Sequence, residues 1–258
     1  MKKVKHLVFA ILFVTSSGAF GSSCALSSDS AAKLKLNDLE TTVSKFQHFE
    51  LCPKKIQVGP LPVTFSYFDL DGFLKTRVLK PNSMLMTDEL ASHSGGSTFR
   101  RVADFVLRRQ TLDTVNASSR GGDEGRLPHG ELLLGPKGIT FPGNLQAAPI
   151  ARVKLTATVP GGGILFDRTN AAPQIEISKE YLKPSSEYQL DVVTNTEVSV
   201  SKRFKVIGGR LEERIGRQLK DIESTEEISQ AIKTILRAAV YDRAGAFWNR
   251  DNELRTLE

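Results

Sequence analysis

Beyond its first two dozen residues this 258-residue sequence has no run of eighteen consecutive apolar residues, the least that spans a hydrocarbon core about 30 Å thick as a helix. A transmembrane helix is therefore not expected in the body of the chain. Tryptophan occurs once, at Trp248, and the four histidines are scattered. His129 sits in a polar stretch with no second histidine close by, so no metal-ligand spacing surrounds it. Cysteine occurs twice, without a C-x-x-C pair, which removes a dithiol redox motif. Ser94 and Ser97 lie near His93 but lack the G-x-S-x-G spacing of a nucleophile elbow. The glycines of Pro160–Gly163 lack the Lys-Ser/Thr pair and the following helix of a phosphate cradle. No catalytic residue, metal ligand or cofactor-binding motif is assigned.

What is present starts with an address. Lys2, Lys3 and Lys5 precede an apolar run, Leu7–Val14 (LVFAILFV), and Ala19-Phe20-Gly21 supplies a small-x-small cleavage pattern. Residues 1–21 read as a signal peptide, with a mature chain that starts at or near Ser22. The lipoprotein alternative at Cys24 is disfavoured because Gly21 stands where an aliphatic residue usually precedes the lipidated cysteine. Removing residues 1–21 takes away three lysines and leaves 32 basic against 29 acidic residues. Half of the excess positive charge thus belongs to the leader, and nucleic acid is not expected as a partner. In an exported chain the pair Cys24 and Cys52 reads as one disulfide that fastens the N-terminus, worth roughly 3 kcal/mol for a loop of this size.

The pattern after the leader changes several times. Leu36, Leu39, Val43 and Phe46 recur at helical spacing, so residues 22–54 are expected to form an N-terminal segment with a short helix. Residues 55–115 read as a β-rich domain: Val63, Phe65 and Tyr67 alternate with polar neighbours, and Asp71-Gly72 suits a tight hairpin turn. Asp69 and Asp71 could begin a calcium loop, but the remaining ligands of an EF-hand are missing. Residues 116–130, poor in apolar residues and rich in turn formers such as Gly, read as a linker. Residues 131–208 then show short strands broken by Gly and Pro, the pattern of an all-β sandwich. Tyr188, Leu190 and Val192 share a face, Thr194–Glu197 turns the chain, and Val198, Val200, Phe204 and Val206 return, with Lys202 marking a bulge or strand end. In residues 209–258 the period becomes helical. Ser224-Thr225-Glu226-Glu227 reads as a capping box and Gly245 as the close of the second helix.

The segments SRGGDEGRLPHGELLLGPKGITFPGN, YLKPSSEYQLDV, RFKVI and AAVYDRAGAFW occur in an order that resembles a group of exported bacterial proteins. In that group a FecR-like β-domain precedes an immunoglobulin-like domain and C-terminal helices. The resemblance runs from about Gly59 to the C-terminus. It is carried by Leu182, Pro184, Tyr188, Leu190 and Val192 in the late strands and by LKPNSMLMTDEL in the earlier half. Tyr241, Gly245 and Trp248 are also similar to part of one tetratricopeptide helix pair. The fold that this implies is mainly β: a small β-domain, then an immunoglobulin-like β-sandwich, then a C-terminal α-helical hairpin.

The expectation for function is an exported, non-enzymatic protein of a bacterial periplasm or exterior that binds or scaffolds an envelope protein or polymer. Arg100, Arg101, Arg108, Arg109 and Trp248 form the candidate partner surface, with Trp248 expected to be at least partly buried in the monomer. A cell-wall or polysaccharide hydrolase is the rival, with an acid pair drawn from Asp69 and Asp71, Asp88 and Glu89, or Asp123 and Glu124. No spacing among these identifies a glycosidase pair. A periplasmic sensor domain is the third reading.

Overall fold

The computed structural model describes residues 23–87, 98–104, 126–145, 148–159, 162–169 and 172–257; the expected signal peptide and most of the expected linker lie outside them. The described chain is mainly β, with curled sheets followed by helices.

Six strands form the N-terminal sheet: β1 (Cys24–Leu36), β2 (Leu39–Phe49), β3 (Lys55–Val58), β4 (Val63–Phe68), β5 (Leu74–Leu79) and β6 (Met84–Met86). One edge of β1 pairs with β2 along its length. The other edge pairs with β4 at Cys24–Ser27 and with β3 at Leu34–Leu36. A register shift between Ser28 and Ala32 bends β1 between these two partners, and extra residues in one strand have this effect on a ladder. The order β5-β4-β1-β3-β6 follows, and the curl encloses Leu26, Leu34, Val43, Ile56 and Phe65.

The helix expected within residues 22–54 is therefore a hairpin, and its sheet includes strands on both sides of residue 55. The apparent helical spacing has two causes. Leu36 and Leu39 flank a two-residue turn in which Asn37 and Asp38 both take positive φ, 49° and 68°, the geometry of a type I′ connection. Val43 and Phe46 stand three residues apart on one strand and so point to opposite faces, and Phe46 packs into a different cluster.

The second unit comprises β7 (Gly130–Leu132), β8 (Gly138–Pro142), β9 (Asn144–Leu145), β10 (Ala148–Ala157), β11 (Ile164–Thr169), β12 (Gln174–Ser178), β13 (Glu187–Thr194) and β14 (Ser199–Val206). One sheet runs β11-β10-β13-β14-β7, and β12 pairs with β8 in another. All of these pairs are antiparallel except β14 with β7. Phe141, Ile150, Leu155, Ile177, Leu190 and Val192 share the core between them, as period-2 alternation requires. Lys202 lies directly opposite Leu190 in an unbroken register, so the expected bulge is absent. A cation on a half-covered face extends its stem along the sheet and leaves the ladder intact. The last residues of the expected linker belong to this unit, since Leu127 is buried in its core.

Helical residues 98–104 (α1) and the helices α2 (Gly209–Ser224), α3 (Gln230–Arg243) and α4 (Phe247–Arg255) complete the described chain. The cap of α3 is Ser229, whose hydroxyl accepts from Ile232 N, rather than the earlier Ser224-to-Glu227 box. Those residues end α2 and form the turn: the Ser224 and Thr225 hydroxyls both donate to the Asp221 carbonyl. Gly245, at φ 78°, follows α3 as expected. The helices serve both β units. α2 gives Gln218 Oε1 as acceptor to Leu74 N on β5, 2.8 Å away. α3 places Ile235, Ala238 and Ala239 against Ala25, Phe46 and Phe68 of the N-terminal sheet. α4 pushes Trp248 into the core of the second unit.

Candidate binding site

The disulfide expected from the two cysteines is present: Cys24 and Cys52 are bonded with their Cα atoms 5.3 Å apart. It ties β1 to the segment after β2. Because Cys24 Sγ is in this bond, it cannot carry a lipid in the same molecule.

The arginine surface is only partly placed. Arg108 and Arg109 lie outside the described residues. Arg100 is exposed and meets an equally exposed Glu50 at 3.4 Å, a pairing worth little in water. Arg101 is engaged in the opposite way. Its Nε and Nη2 both donate to Asp242, whose side chain is wholly buried, and Arg250 Nη1 donates to the same carboxylate at 2.7 Å. The hydrogen bond to Asp242 raises the Arg101 pKa. Both guanidinium groups also lie over the Phe247 ring. Arg101 thus joins α1 to α3 and α4. Trp248 is 5 % exposed, and its Nε1 donates to the Arg126 carbonyl at 3.0 Å. It is a core residue and presents no indole to a partner, because an apolar ring with one satisfied N–H gains most inside a core.

Of the acid pairs, Asp88, Glu89, Asp123 and Glu124 lie outside the described residues. Asp69 is occupied as a turn former: its carboxylate accepts from Asp71 N and Phe73 N and lies 3.4 Å from Lys75 Nζ. Such an Asx-type turn leaves little carboxylate free for a substrate. Among the described residues, no group of three or more His, Cys, Asp and Glu comes together, and no helix is long and apolar enough to cross a membrane.

A different site emerges on the N-terminal sheet. The β1 face that carries Ala25 is covered by α1 and α3. Beyond the register shift the equivalent positions are Lys33 and Lys35, both exposed. The helical cover stops where Asp29, within the shifted stretch, hydrogen-bonds Ser229 at the start of α3. Past that point the strands align two rows of side chains. Glu40, Lys35, Gln57 and Met84 form one row across β2, β1, β3 and β6. Thr42 and Lys33 begin the second, which continues through Gly59, whose N–H donates to the Lys33 carbonyl, to Asn82, which donates to the Gly59 carbonyl.

Gly59 makes the second row a depression. It has no side chain, and a Cβ there would stand 2.3 Å from the Lys33 carbonyl oxygen, so only glycine lets β3 approach β1 this closely. The result is a groove of about 490 Å³ bordered by Lys33, Lys35, Glu40, Thr42, Gln57 and Asn82. Neighbouring strands stand about 4.8 Å apart and alternate residues about 7 Å apart. Two ammonium groups, two amides and a hydroxyl are thereby offered to one ligand. Glu40 Oε1 lies 3.8 Å from Lys35 Nζ, close enough to orient that lysine in solvent but too exposed to neutralise it. The arrangement holds donors of several kinds, so it can bind a ligand that accepts hydrogen bonds and carries negative charge.

None of these groove residues was a candidate in the sequence reading. The available signal was the strict alternation Ala32-Lys33-Leu34-Lys35-Leu36, which the false helical period overlapped. Compared with family models and with curated proteins, the chain matches none.

Proposed function

We propose that this protein is an exported, non-enzymatic envelope component that holds an anionic, hydroxyl- and amide-bearing envelope polymer in the groove of its N-terminal sheet. The observation that carries the proposal is the Gly59 depression walled by Lys33, Lys35, Gln57 and Asn82. Its volume lies in the range of small-molecule sites, but its lining is polar and shallow where such sites are mostly apolar. That suits a hydrated polymer whose charges repeat along a chain. The Cys24–Cys52 bond supports an oxidising compartment, in agreement with the leader-like residues 1–21.

The FecR-like and immunoglobulin-like resemblances belong to the same proposal. For the second, residues 131–208 supply support of their own: a two-sheet arrangement, a parallel β7–β14 pair, and Tyr188, whose hydroxyl accepts from Lys183 N at 2.6 Å. A tyrosine at the start of a late strand bonded back to nearby backbone is the corner found in such domains.

The test is retention of anionic envelope polysaccharide by the immobilised protein, compared with Lys33→Glu/Lys35→Glu. Both lysines are exposed, so the double variant should fold with unchanged melting. Retention should fall at least tenfold and should weaken with salt in the wild type. Equal retention by wild type and variant rejects the groove as the binding site.

A further inference from the structure

A second surface stands at one end of the β10-to-β14 unit, where three connections come together. Ala157 N donates to Gly163 O and Gly162 N to Val159 O, closing the β10–β11 turn. Thr158 N donates to Glu187 O, which sets that turn beside the start of β13. Lys179 N donates to Lys137 O, which sets the turn after β12 beside the one before β8.

These connections are not polar throughout. Val159, Ile164 and Tyr181 are 51 %, 57 % and 41 % exposed. Ile164 lies two residues before Phe166 on β11, and the Phe166 ring meets the Tyr181 ring edge-on at 5.8 Å. Phe166 is half-buried against the core beneath. An aliphatic and aromatic ridge thus projects from a rigid sandwich at turns, where exposed apolar side chains cost solubility without adding to the core.

Lysines flank it. Lys137, Lys179 and Lys183 are all exposed at this end, and Lys183 is fixed by its backbone bond to Tyr188. Among the described residues of these connections the opposing charges are Glu180 and Glu187, and Glu187 already faces Lys205 across the β13–β14 ladder. The local balance is cationic. Apolar side chains at a protruding tip, a tyrosine whose ring is apolar and whose hydroxyl is not, and long cationic stems around them match the layers of a membrane surface. The apolar tip meets the acyl boundary, the tyrosine the headgroups and the ammonium groups the lipid phosphates.

We infer that this end of the sandwich docks the protein reversibly on an anionic lipid surface, with Ile164, Phe166 and Tyr181 as the inserted ridge and Lys137, Lys179 and Lys183 as the headgroup contacts. The groove of the N-terminal sheet is a separate site, so the two can fail independently.

Vesicle co-sedimentation tests the inference, with phosphatidylcholine alone and with phosphatidylcholine containing one-third phosphatidylglycerol. The wild-type protein should partition at least tenfold more onto the anionic vesicles, and the preference should fade at high salt. Ile164→Asp and Tyr181→Asp should each lower partitioning at least tenfold, and Lys179→Glu/Lys183→Glu should remove the preference for anionic lipid. All variants share the wild-type N-terminus, so their differences report on this end alone. Trp248 emission, which reads the adjacent core, verifies that each variant is folded, and Lys33→Glu/Lys35→Glu should bind vesicles like the wild type. Wild type that stays in the supernatant, Ile164→Asp that sediments as well as the wild type, or an Ile164→Asp effect confined to self-association would each overturn the inference.

Discussion

The sheet of β8 and β12 lets the C-terminal unit bury Phe141, Ile150, Leu155 and Leu190 largely among its own strands, with Trp248 the one helical residue in that core among the described residues. The N-terminal sheet cannot do the same. Its curl encloses one core, but the opposite face, with Ala25, Phe46 and Phe68, is closed by α1 and by residues Ile235, Ala238 and Ala239 of α3, far along the chain. A sheet with two apolar faces needs cover on both. The helices after β14 therefore act as a missing layer of the N-terminal unit, and the part they leave uncovered is the groove. The difference teaches that the candidate binding face is open because the helical layer is shorter than the sheet beneath it.

Leu236→Asp is the strongest way to break this comparison. Leu236 is fully buried between α3 and its neighbours, so a carboxylate there loses packing and gains no partner. The expected cost is about 4 kcal/mol. Hydrogen exchange should show β1, β4, α2 and α3 losing protection together while β10 and β13 keep theirs. Equal losses in all of them would mean that the two units unfold as one.

Reduction of Cys24–Cys52 acts on the same half through the unfolded chain. Closing a loop of this length is worth about 3 kcal/mol in the loop-entropy account. The N-terminal transition should move to lower temperature on reduction, with Trp248 emission unaltered until the C-terminal unit melts. A shift in the Trp248 transition as large as that of the sheet would tie the bond to both units.

Tyr188→Phe tests the other side of the comparison. It removes the hydroxyl that accepts from Lys183 N and keeps the ring stacked on Phe204. A lost hydrogen bond to a partly covered N–H costs about 1 kcal/mol. The loss should appear in the Trp248 transition and leave β1 to β5 unaffected.

The sequence disclosed these two halves unequally. In the C-terminal unit Tyr188, Leu190 and Val192 alternate without interruption and meet Phe204, Lys202 and Val200 in one register, so period 2 is visible. In β1 and β2 both faces carry apolar residues, Val43 on one and Phe46 on the other, and the turn at Asn37-Asp38 and the shifted stretch after Ser28 interrupt the series, so period 2 is hidden. The Arg101–Asp242 contact spans 141 positions, and nothing local to Arg101 distinguishes a cation held by a buried carboxylate from one facing solvent. The Cys24–Cys52 pair was legible because two cysteines allow a single intramolecular pairing.

The smallest expected effect sharpens the role of the helical cover through pH. His48 lies opposite Ala25 on β2, and its Nε2 is buried without a hydrogen-bond partner among the described residues. Burial lowers its pKa below the usual 6.5, Arg100 lowers it further, and Glu50 and Asp104 oppose the shift. The unfolded chain then takes up a proton near pH 6.5 while the folded chain waits for a lower pH. Over that interval the unfolded state binds more protons, so stability is full above about 6.5 and falls as the solution is acidified through the folded value. Since the imidazole is partly open to solvent, the change should stay below about 1 kcal/mol. It should concentrate where α1 meets β2. Thermal melts from pH 7.5 to 5.0 should show a small decline that His48→Leu flattens. The exposed Asp167, whose pKa is lowered by its hydrogen bonds with Arg152, titrates in a more acidic range and leaves this window clear. A decline of the same size in His48→Leu would assign the acid sensitivity to other carboxylates and remove His48 from the helix–sheet contact.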